Sequence, residues 1–206
     1  EFVPVLLSAS TFDSLILTSH MLKYGEWVEN DTYLLTNLRA LIADVGDDHI
    51  NYYNTPEECA IIAKHFKVFK FKVDIATRTQ MIRHRCSWQE LSRRYVSGKR
   101  QEFEFYVSPK MQELVSEVPL NTSFSSNQLI ALAVNHYNTA ISQGVKPEEA
   151  RRILPQCMYT TIWGAFQPNQ LRNFFQLRLD AHSQTEIREV ATAMNSLIGD
   201  THDSTS

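Results

Sequence analysis

"RHRCSWQELSRRYV", residues 83–96, places four arginines, a histidine, a glutamate and two serines around one tryptophan and one tyrosine. Within it Ser87, Glu90, Ser92 and Arg94 alternate, so one loop can display hydroxyl, carboxylate and guanidinium groups. Arginine's planar fork donates two hydrogen bonds at once to a phosphate, while hydroxyls and a carboxylate orient a sugar or a base edge. The segment therefore predicts a nucleotide phosphate site, although such a charge cluster is also typical of a solvated surface.

The composition is that of an ordinary globular protein. The 206 residues are 43% hydrophobic and 21% charged, which is enough to bury the core of one domain. We expect that domain over residues 1–198, followed by a flexible tail at residues 199–206. The formal net charge of -3 argues against binding nucleic acid or a membrane through bulk charge. Any anion must then be recognised by a local cluster of cations.

The cysteines and the apolar runs predict the compartment. Cys59, Cys86 and Cys157 are far apart and form no CxxC pair. Neither a zinc cage nor a disulfide framework is expected, so the sequence favours a reduced compartment and no bound metal. The opening residues lack a secretory signal, and no apolar run reaches the roughly 18 residues that a bilayer requires. We expect a cytoplasmic protein with no membrane partner.

Hydrophobic periodicity predicts two helices near the N-terminus. The apolar positions that carry them are Leu15, Ile16, Met21 and Leu22 for the first and Leu34, Leu35, Leu38, Leu41, Ile42 and Val45 for the second. A third helix is expected to begin after Thr55 as N-cap, with Pro56 at its first position, and to stop near His65. Both "FKVFKFKVD" at 66–74 and "EFEFYV" at 102–107 alternate like half-buried strands.

The second half of the chain is predicted to be mainly helical. An amphipathic helix covers residues 125–143 and ends at Gly144, and Pro147 starts a short helix within "KPEEARRIL". The segment "QCMYTTIWGAF" at 156–166 is rich in β-branched and aromatic residues and predicts a strand. After Pro168 one long helix is expected over residues 169–194. One stripe of that helix contains Leu171, Phe174, Phe175, Arg178, Leu179 and His182.

Arg178 and His182 lie one helical turn apart on this stripe, on a face that is expected to be buried. An unpaired buried charge is costly, so the stripe favours an anionic ligand. The alternative is a structural arginine that pairs with a carboxylate such as Glu186. His84, taken by itself, favours a structural histidine over a functional one.

Together these segments resemble the flavin-dependent thymidylate synthases. "RHR" followed by "SWQELSRRY" is similar to that family's substrate loop, and "ARRILP", "YTT" and "LRNFFQLRLDAHSQTEIREVA" follow in the family's order and spacing. The resemblance covers roughly residues 69–195. It implies an α/β fold with a central mixed sheet and long flanking helices. It also implies a homotetramer whose active sites lie between subunits.

The resemblance implies a reaction as well. In that family dUMP is methylated at C5 with methylenetetrahydrofolate as carbon donor, and FAD, after reduction by NADPH, supplies the hydride without a cysteine nucleophile. By position, the residues that match nucleotide contacts are Gln80, Arg83, Glu90, Ser92, Arg94, Arg151 and Arg178. Those that match flavin contacts are His84, Arg85, Asn173 and His182. The catalytic residues expected from the resemblance are Arg178, Glu90 and Ser92. Arg178 is expected to polarise the pyrimidine, and Ser92 to act as a positioning hydroxyl and not as a nucleophile.

The sequence departs from the family at several positions. Only Cys86 separates "RHR" from Ser87, so the substrate loop is one residue short. "QPN" places Gln167 where the family has Asn and Asn169 where it has Arg, both at expected flavin contacts. The family's His-x-Ser/Thr-Pro-x-Glu-His box is not recognisable before the 66–74 strand. These departures predict weaker FAD binding.

Three further functions stay open. An altered flavin pocket would allow water to complete the reaction, giving hydroxymethylation of dUMP or dCMP. The same scaffold could bind a nucleotide without catalysis. Third, a nucleic-acid binder could use the basic residues of 83–100 with Trp88 and Tyr95 for stacking, although the acidic net charge disfavours it.

Overall fold

The computed structural model describes residues 4–10, 19–46, 54–92, 102–118 and 122–202. The sequence predicts one domain, and the structure divides the chain into two compact units whose segments alternate along the sequence. Unit one comprises Glu1–Phe69, Ile82–Trp88 and Trp163–Ser206, and unit two comprises Lys70–Met81 and Gln89–Ile162. The functional residues predicted from the sequence are distributed over both units.

An antiparallel sheet in unit one is built from apolar runs that are buried on both faces. Its strands β1 (Pro4–Ser8), β2 (Glu26–Val28) and β3 (Tyr33–Asn37) lie in the order β1-β3-β2. Successive side chains of a strand point to opposite faces. Leu7 and Leu34 therefore join the core on one face, and Leu6 and Leu35 join the core on the other.

Helices supply the rest of both cores. Helices α1 (Ser19–Tyr24) and α2 (Leu38–Val45) contribute Met21, Ala40 and Leu41 to the first core, and α3 (Pro56–His65) contributes Ile62 to the second. Residues 11–18 of the first predicted helix lie outside the described residues. The third helix is confirmed, since Thr55 and Glu58 form a capping box and the helix ends at His65.

The second predicted helix begins later than expected. Leu34 and Leu35 belong to strand β3, so assigning them to a helix is wrong. The helix starts at Leu38 because the Asn37 side-chain oxygen accepts the Ala40 N–H at 3.0 Å and caps it. A short apolar run fits a strand or a helix equally well by periodicity, and here the cap sets the boundary.

A second sheet has the strand order β4-β8-β5, with β4 at Lys67–Asp74, β5 at Ser87–Glu90 and β8 at Tyr159–Phe166. Both strands predicted at 66–74 and 156–166 are confirmed as β4 and β8. In β4 the expected alternation appears, with Phe71 and Val73 buried between exposed lysines.

Unit two contains mostly helices. They are α4 (Ile75–Met81), α5 (Pro109–Gln112), α6 (Ser126–Ser142) and α7 (Pro147–Ala150), followed by a 3₁₀ turn at Arg151–Ile153. Strands β6 (Val115–Val118) and β7 (Thr122–Ser125) form an antiparallel pair that the sequence did not predict. The predicted helix ending at Gly144 is confirmed, and this glycine adopts a positive φ of 85° after the last turn.

The strand predicted at 102–107 is wrong. Its only described bridge joins Phe105 to Met158, flanked by hydrogen bonds from the Tyr106 N–H to the Cys157 carbonyl and from the Tyr159 N–H to the Glu104 carbonyl. The alternating pattern is real, but a strand also needs a partner along its length. This segment pairs only at one position and remains an extended connection.

The long helix predicted after Pro168 is two helices, α8 (Pro168–Arg178) and α9 (Thr185–His202). Local hydrogen bonds compete with helix continuation between them. The Asp180 side chain accepts the His182 N–H at 2.7 Å, and the Ser183 hydroxyl donates to the Leu177 carbonyl at 2.8 Å. Helix α9 continues through His202, where a tail from residue 199 is expected, and residues 203–206 lie outside the described residues.

The alternation of strands and helices confirms the predicted α/β class. The described strands form three small sheets of three, three and two strands. Within the described ranges, no helix combines the length and the apolar character needed to cross a membrane.

Candidate functional site

A cleft of about 440 Å³ in unit one brings together six of the residues predicted from the sequence. Its walls come from the loop after α4 and from one face of α8. The predicted residues that line it are Arg83, His84, Arg85, Asn169, Asn173 and Arg178. This volume is within the range of roughly 300–1,000 Å³ that is usual for small-molecule sites.

The His84 backbone is fixed by two hydrogen bonds to its carbonyl oxygen. Trp88 donates one from its indole Nε1 at 3.1 Å, and the Cys86 backbone N–H donates the other at 3.0 Å. The His84 ring packs edge-on against the fully buried ring of Phe174, with centroids 4.7 Å apart. These contacts hold the "RHR" loop against α8, so the loop and the helix act as one wall.

The Arg178 guanidinium and the His84 imidazole form the central pair of this cleft. Arg178 Nε donates to His84 Nε2 at 2.8 Å, which requires an unprotonated Nε2. Burial, and secondarily the charge of Arg178, lower the pKa of His84 from 6.5 to about 4. His84 is therefore neutral at physiological pH and carries its proton on Nδ1.

Arg178 does not form the structural ion pair with Glu186 that is the alternative to a ligand-binding role. Among the described residues Arg178 has no carboxylate partner, and Glu186 instead accepts a hydrogen bond from Gln184 at 2.8 Å. The partner of Arg178 is instead the His84 imidazole. It orients the guanidinium while leaving the positive charge of Arg178 uncompensated.

The electrostatics of the cleft favour an anion. Three arginines, Arg83, Arg85 and Arg178, line it, and none of the described lining residues is acidic. Arg83 and Arg85 are exposed, so their charges are available to a ligand. Guanidinium groups bind phosphate or carboxylate oxygens bidentately, and a neutral histidine and amides add directional hydrogen bonds.

Helix α8 presents amides to the cleft through Asn169, Gln170 and Asn173, with Leu177 one turn further on. The Asn169 side chain accepts the Gln170 N–H at 2.7 Å, and the Gln170 side chain accepts the Gln167 N–H at 2.9 Å. Gln170 was missed in the sequence. Its spacing from Asn173 and Leu177, at i, i+3 and i+7, is the helical signal that identifies it.

Tyr24, Cys86 and Leu177 also line the cleft and were missed. Tyr24 comes from α1, far along the chain, and no local pattern points to it. Cys86 lies in the cleft wall, but it is buried and burial raises the pKa of its thiol. Since only the thiolate is a strong nucleophile, Cys86 is not suited to nucleophilic attack.

Gln167 does not line this cleft. It is 2% exposed at the N-cap of α8, and neither its Oε1 nor its Nε2 has a hydrogen-bond partner among the described residues. A buried amide without partners costs about 1–3 kcal/mol. Its predicted flavin contact stays a prediction.

His182 is not on the buried stripe, and that geometric expectation is wrong. Helix α8 ends at Arg178, so the one-turn spacing between the two residues is lost. The His182 side chain is 96% exposed, and its Nδ1 lies 2.8 Å from the Asp180 carboxylate. The hydrogen bonds that break the helix therefore also turn His182 outward.

The remaining predicted residues belong to unit two. Glu90 pairs with Arg78 at 2.6 Å and accepts the Thr160 hydroxyl at 3.1 Å. Gln80 lies on α4, Ser92 is exposed after β5, and Arg151 is exposed at the 3₁₀ turn. Arg94 lies outside the described residues. Among the described residues, no group of three or more His, Cys, Asp or Glu side chains is placed to hold a metal.

Comparison with known proteins extends this description. Residues 13–202 match the family described as thymidylate synthase complementing protein. The chain is 32% identical over 128 residues to the flavin-dependent thymidylate synthase of Thermotoga neapolitana, covering 61% of this chain and 58% of that protein. For the flavin-dependent thymidylate synthase of Pyrococcus furiosus the identity is 33% over 131 residues, covering 61% and 52%.

A third relative, the flavin-dependent thymidylate synthase of Aquifex aeolicus, is 33% identical over 147 residues, covering 65% of this chain and 45% of that protein. The chain thus spans about half the length of the curated relatives it matches. The family match itself covers nearly all of the 206 residues and confirms the resemblance carried by the "RHR" loop and α8. The chain belongs to the thymidylate synthase complementing protein family.

Proposed function

We propose that this chain acts in flavin-dependent thymidylate synthesis. A one-carbon unit passes from methylenetetrahydrofolate to C5 of dUMP, dTMP is formed, and NADPH is the reductant. The observation that carries the proposal is the Arg178–His84 pair in a cleft with three arginines and no lining carboxylate among the described residues. Such a site is suited to an anionic nucleotide and to charge that develops on its ring.

The residues of the cleft fit a flavin. FAD carries phosphates and a ring edge of alternating carbonyl and N–H groups, and the cleft offers Arg85 with the amides of Asn169 and Asn173. We propose that these residues and His84 hold the flavin, together with Gln167 and His182 from the resemblance. When bound and reduced, the flavin supplies the hydride. The neutral His84 accepts one hydrogen bond from Arg178 and so keeps its guanidinium in one orientation.

Arg178 is our candidate for the group that polarises the pyrimidine. The guanidinium group is oriented by a neutral partner. It can therefore stabilise negative charge on a uracil ring without first breaking an ion pair. The proposed nucleotide contacts are Gln80, Arg83, Glu90, Ser92, Arg94 and Arg151. Neither Cys86 nor Cys157 is suited to act as a nucleophile, because burial raises the pKa of both thiols.

We further propose a cytoplasmic homotetramer in which different subunits complete each site. Helix α6 supports association, because Leu129 and Leu132 are 47% and 52% exposed although the helix is amphipathic. A contiguous exposed apolar patch is typical of a protein–protein contact, and Leu129 and Leu132 are neighbours at i and i+3 on this helix. Light scattering that shows an active monomer would contradict the tetramer.

The test is turnover with product identification. Protein supplied with FAD is incubated with NADPH, methylenetetrahydrofolate and either dUMP or dCMP, and the product is weighed by mass spectrometry. A gain of one methylene unit on dUMP supports the proposal. An additional oxygen would instead indicate hydroxymethylation, and no product with either nucleotide would leave a nucleotide-binding protein as the function.

A further inference from the structure

Unit one contains a second cleft, of about 520 Å³, that shares Tyr24, Arg85 and Gln170 with the first. Its other wall is the start of α2, where Asn37, Arg39, Ala40 and Ala43 line it. No acidic residue is among the described residues of the lining. The second cleft is therefore a distinct positive cavity that adjoins the first through Arg85.

Helices α2 and α8 present equivalent positions to their clefts. Each follows a strand and begins after an N-cap, Asn37 for α2 and Gln167 for α8. Counted from the N-cap, the second, third and sixth residues line the cleft in both helices: Arg39, Ala40 and Ala43 in α2, and Asn169, Gln170 and Asn173 in α8. Arg39 thus occupies in α2 the position that the neutral Asn169 occupies in α8.

The charges of the second cleft are available to a ligand. Arg39 and Arg85 are exposed, and neither has a carboxylate or hydrogen-bond partner among the described residues. The first turn of α2 contains no acidic residue. The positive end of the helix dipole therefore adds to the two guanidinium charges.

His20 provides a third, oriented group. Its Nδ1 lies 2.9 Å from the carboxylate of Asp44, whose side chain is 1% exposed. The same carboxylate accepts the backbone N–H groups of His20 at 3.3 Å and Met21 at 2.9 Å, so its position is fixed. The His20 ring lines the cleft, and its Nε2 has no partner among the described residues.

We infer that the second cleft binds an anionic oxygen group, a phosphate or a carboxylate, held by Arg39 and Arg85 beside the oriented His20. The anion site follows from the cavity and its charges alone. Its assignment to a ligand rests on the proposed function, under which the group belongs to the nicotinamide cofactor as phosphate or to the folate as carboxylate. A phosphate and a carboxylate can each accept two parallel hydrogen bonds from a planar guanidinium group.

Calorimetry with inorganic pyrophosphate tests the anion site without any turnover. Arg39→Gln should weaken pyrophosphate binding by about tenfold or more, as expected for a lost charged hydrogen bond. Lys23→Gln is the matched control, because it removes the same charge in unit one from a side chain that lies over the Tyr24 ring and outside the cleft lining. We expect it to change binding less than about twofold. Equal binding by wild type and Arg39→Gln, or no binding by wild type, would overturn the inference.

The same variant identifies the source of the anion. If the group is the extra phosphate of NADPH, Arg39→Gln weakens the binding of NADPH and leaves that of NADH unchanged. If it is a folate carboxylate, the variant weakens methylenetetrahydrofolate binding and spares both nicotinamide cofactors. Loss of affinity for none of these ligands, with pyrophosphate binding still dependent on Arg39, would retain the anion site and remove its link to the proposed function.

Discussion

Arg178 and His84, 94 positions apart in the sequence, are joined by a hydrogen bond of 2.8 Å from Nε to Nε2. The bond connects the loop after α4 to the last turn of α8, and it uses a neutral acceptor for a charged donor. An aspartate in place of His84 would neutralise the guanidinium. The histidine orients it and preserves its charge for a ligand.

The titration of His84 should make the stability of the protein pH-dependent. Its pKa is about 4 in the folded chain and 6.5 ordinarily, so between these values the unfolded chain binds a proton that the folded chain does not. The free energy of unfolding should therefore fall as the pH is lowered from about 6.5 to about 4. In His84→Gln the amide oxygen still accepts from Arg178 and cannot titrate. Urea titrations at several pH values should show a shallower loss for this variant, and equal slopes would contradict the assignment.

Thiol labelling should distinguish the three cysteines. Cys59 is exposed, Cys157 is half-buried, and Cys86 is buried with a raised pKa. Iodoacetamide at mildly alkaline pH should modify Cys59 first and Cys86 last, because the thiolate is the reactive form. Peptide mass spectrometry reports the order, and labelling in urea, where all three should react, is the control. Modification of Cys86 as fast as Cys59 would reopen a role for its thiol.

Gly164 should be required by the packing of Trp88. A Cβ at this position would lie 2.5 Å from Cζ3 of Trp88 and 2.9 Å from Cε2 of Phe166. Gly164→Ala should lower the free energy of unfolding by about 1–3 kcal/mol, because both rings would have to move. Gly199→Ala is the control in helix α9, where an added Cβ meets nothing within 4 Å, and it should stabilise by about 0.5–1 kcal/mol. A neutral Gly164→Ala would show that the Trp88 ring adapts freely.

The buried, unpaired amide of Gln167 should lower the free energy of unfolding of the ligand-free protein. Gln167→Met keeps the shape and removes the two buried groups without partners, so the free energy of unfolding should rise by about 1–3 kcal/mol. Gln170→Met removes an acceptor that is used, at 2.9 Å from the Gln167 N–H, and should destabilise. Urea denaturation of the ligand-free proteins measures the free energy of unfolding of both variants against wild type. A less stable Gln167→Met would mean that the amide is satisfied in solution.

Local signals in the sequence predicted the elements whose ends are set by nearby residues. The capping box at Thr55 fixed α3, and Gly144 fixed the end of α6. The boundary at Leu38 could not be predicted from periodicity, because the apolar run before it suits a strand and a helix alike. The break after Arg178 depends on Asp180 and Ser183 hydrogen bonds that act within one turn.

The candidate site was predictable to the extent that its residues share a motif. Arg83, His84, Arg85 and Arg178 were found together because the "RHR" segment and the segment that forms α8 resemble one family. The hydrogen bond between His84 and Arg178, and its effect on the histidine pKa, depend on tertiary packing against Phe174 and have no sequence signal. Tyr24 and Arg39 were missed for the same reason.

The most direct measurement of the central claim compares two arginines on one helix. Arg178 lines the cleft, whereas Arg172, also on α8, is 66% exposed and pairs with Glu26 at 2.8 Å. With FAD, NADPH, methylenetetrahydrofolate and dUMP, Arg178→Ala should lower the turnover rate at least about tenfold, since a charged hydrogen bond contributes about 1.5–3 kcal/mol. The turnover rate of Arg172→Ala should stay within about twofold of wild type. Both variants should show a cooperative thermal unfolding transition. Wild-type turnover by a folded Arg178→Ala would contradict the account.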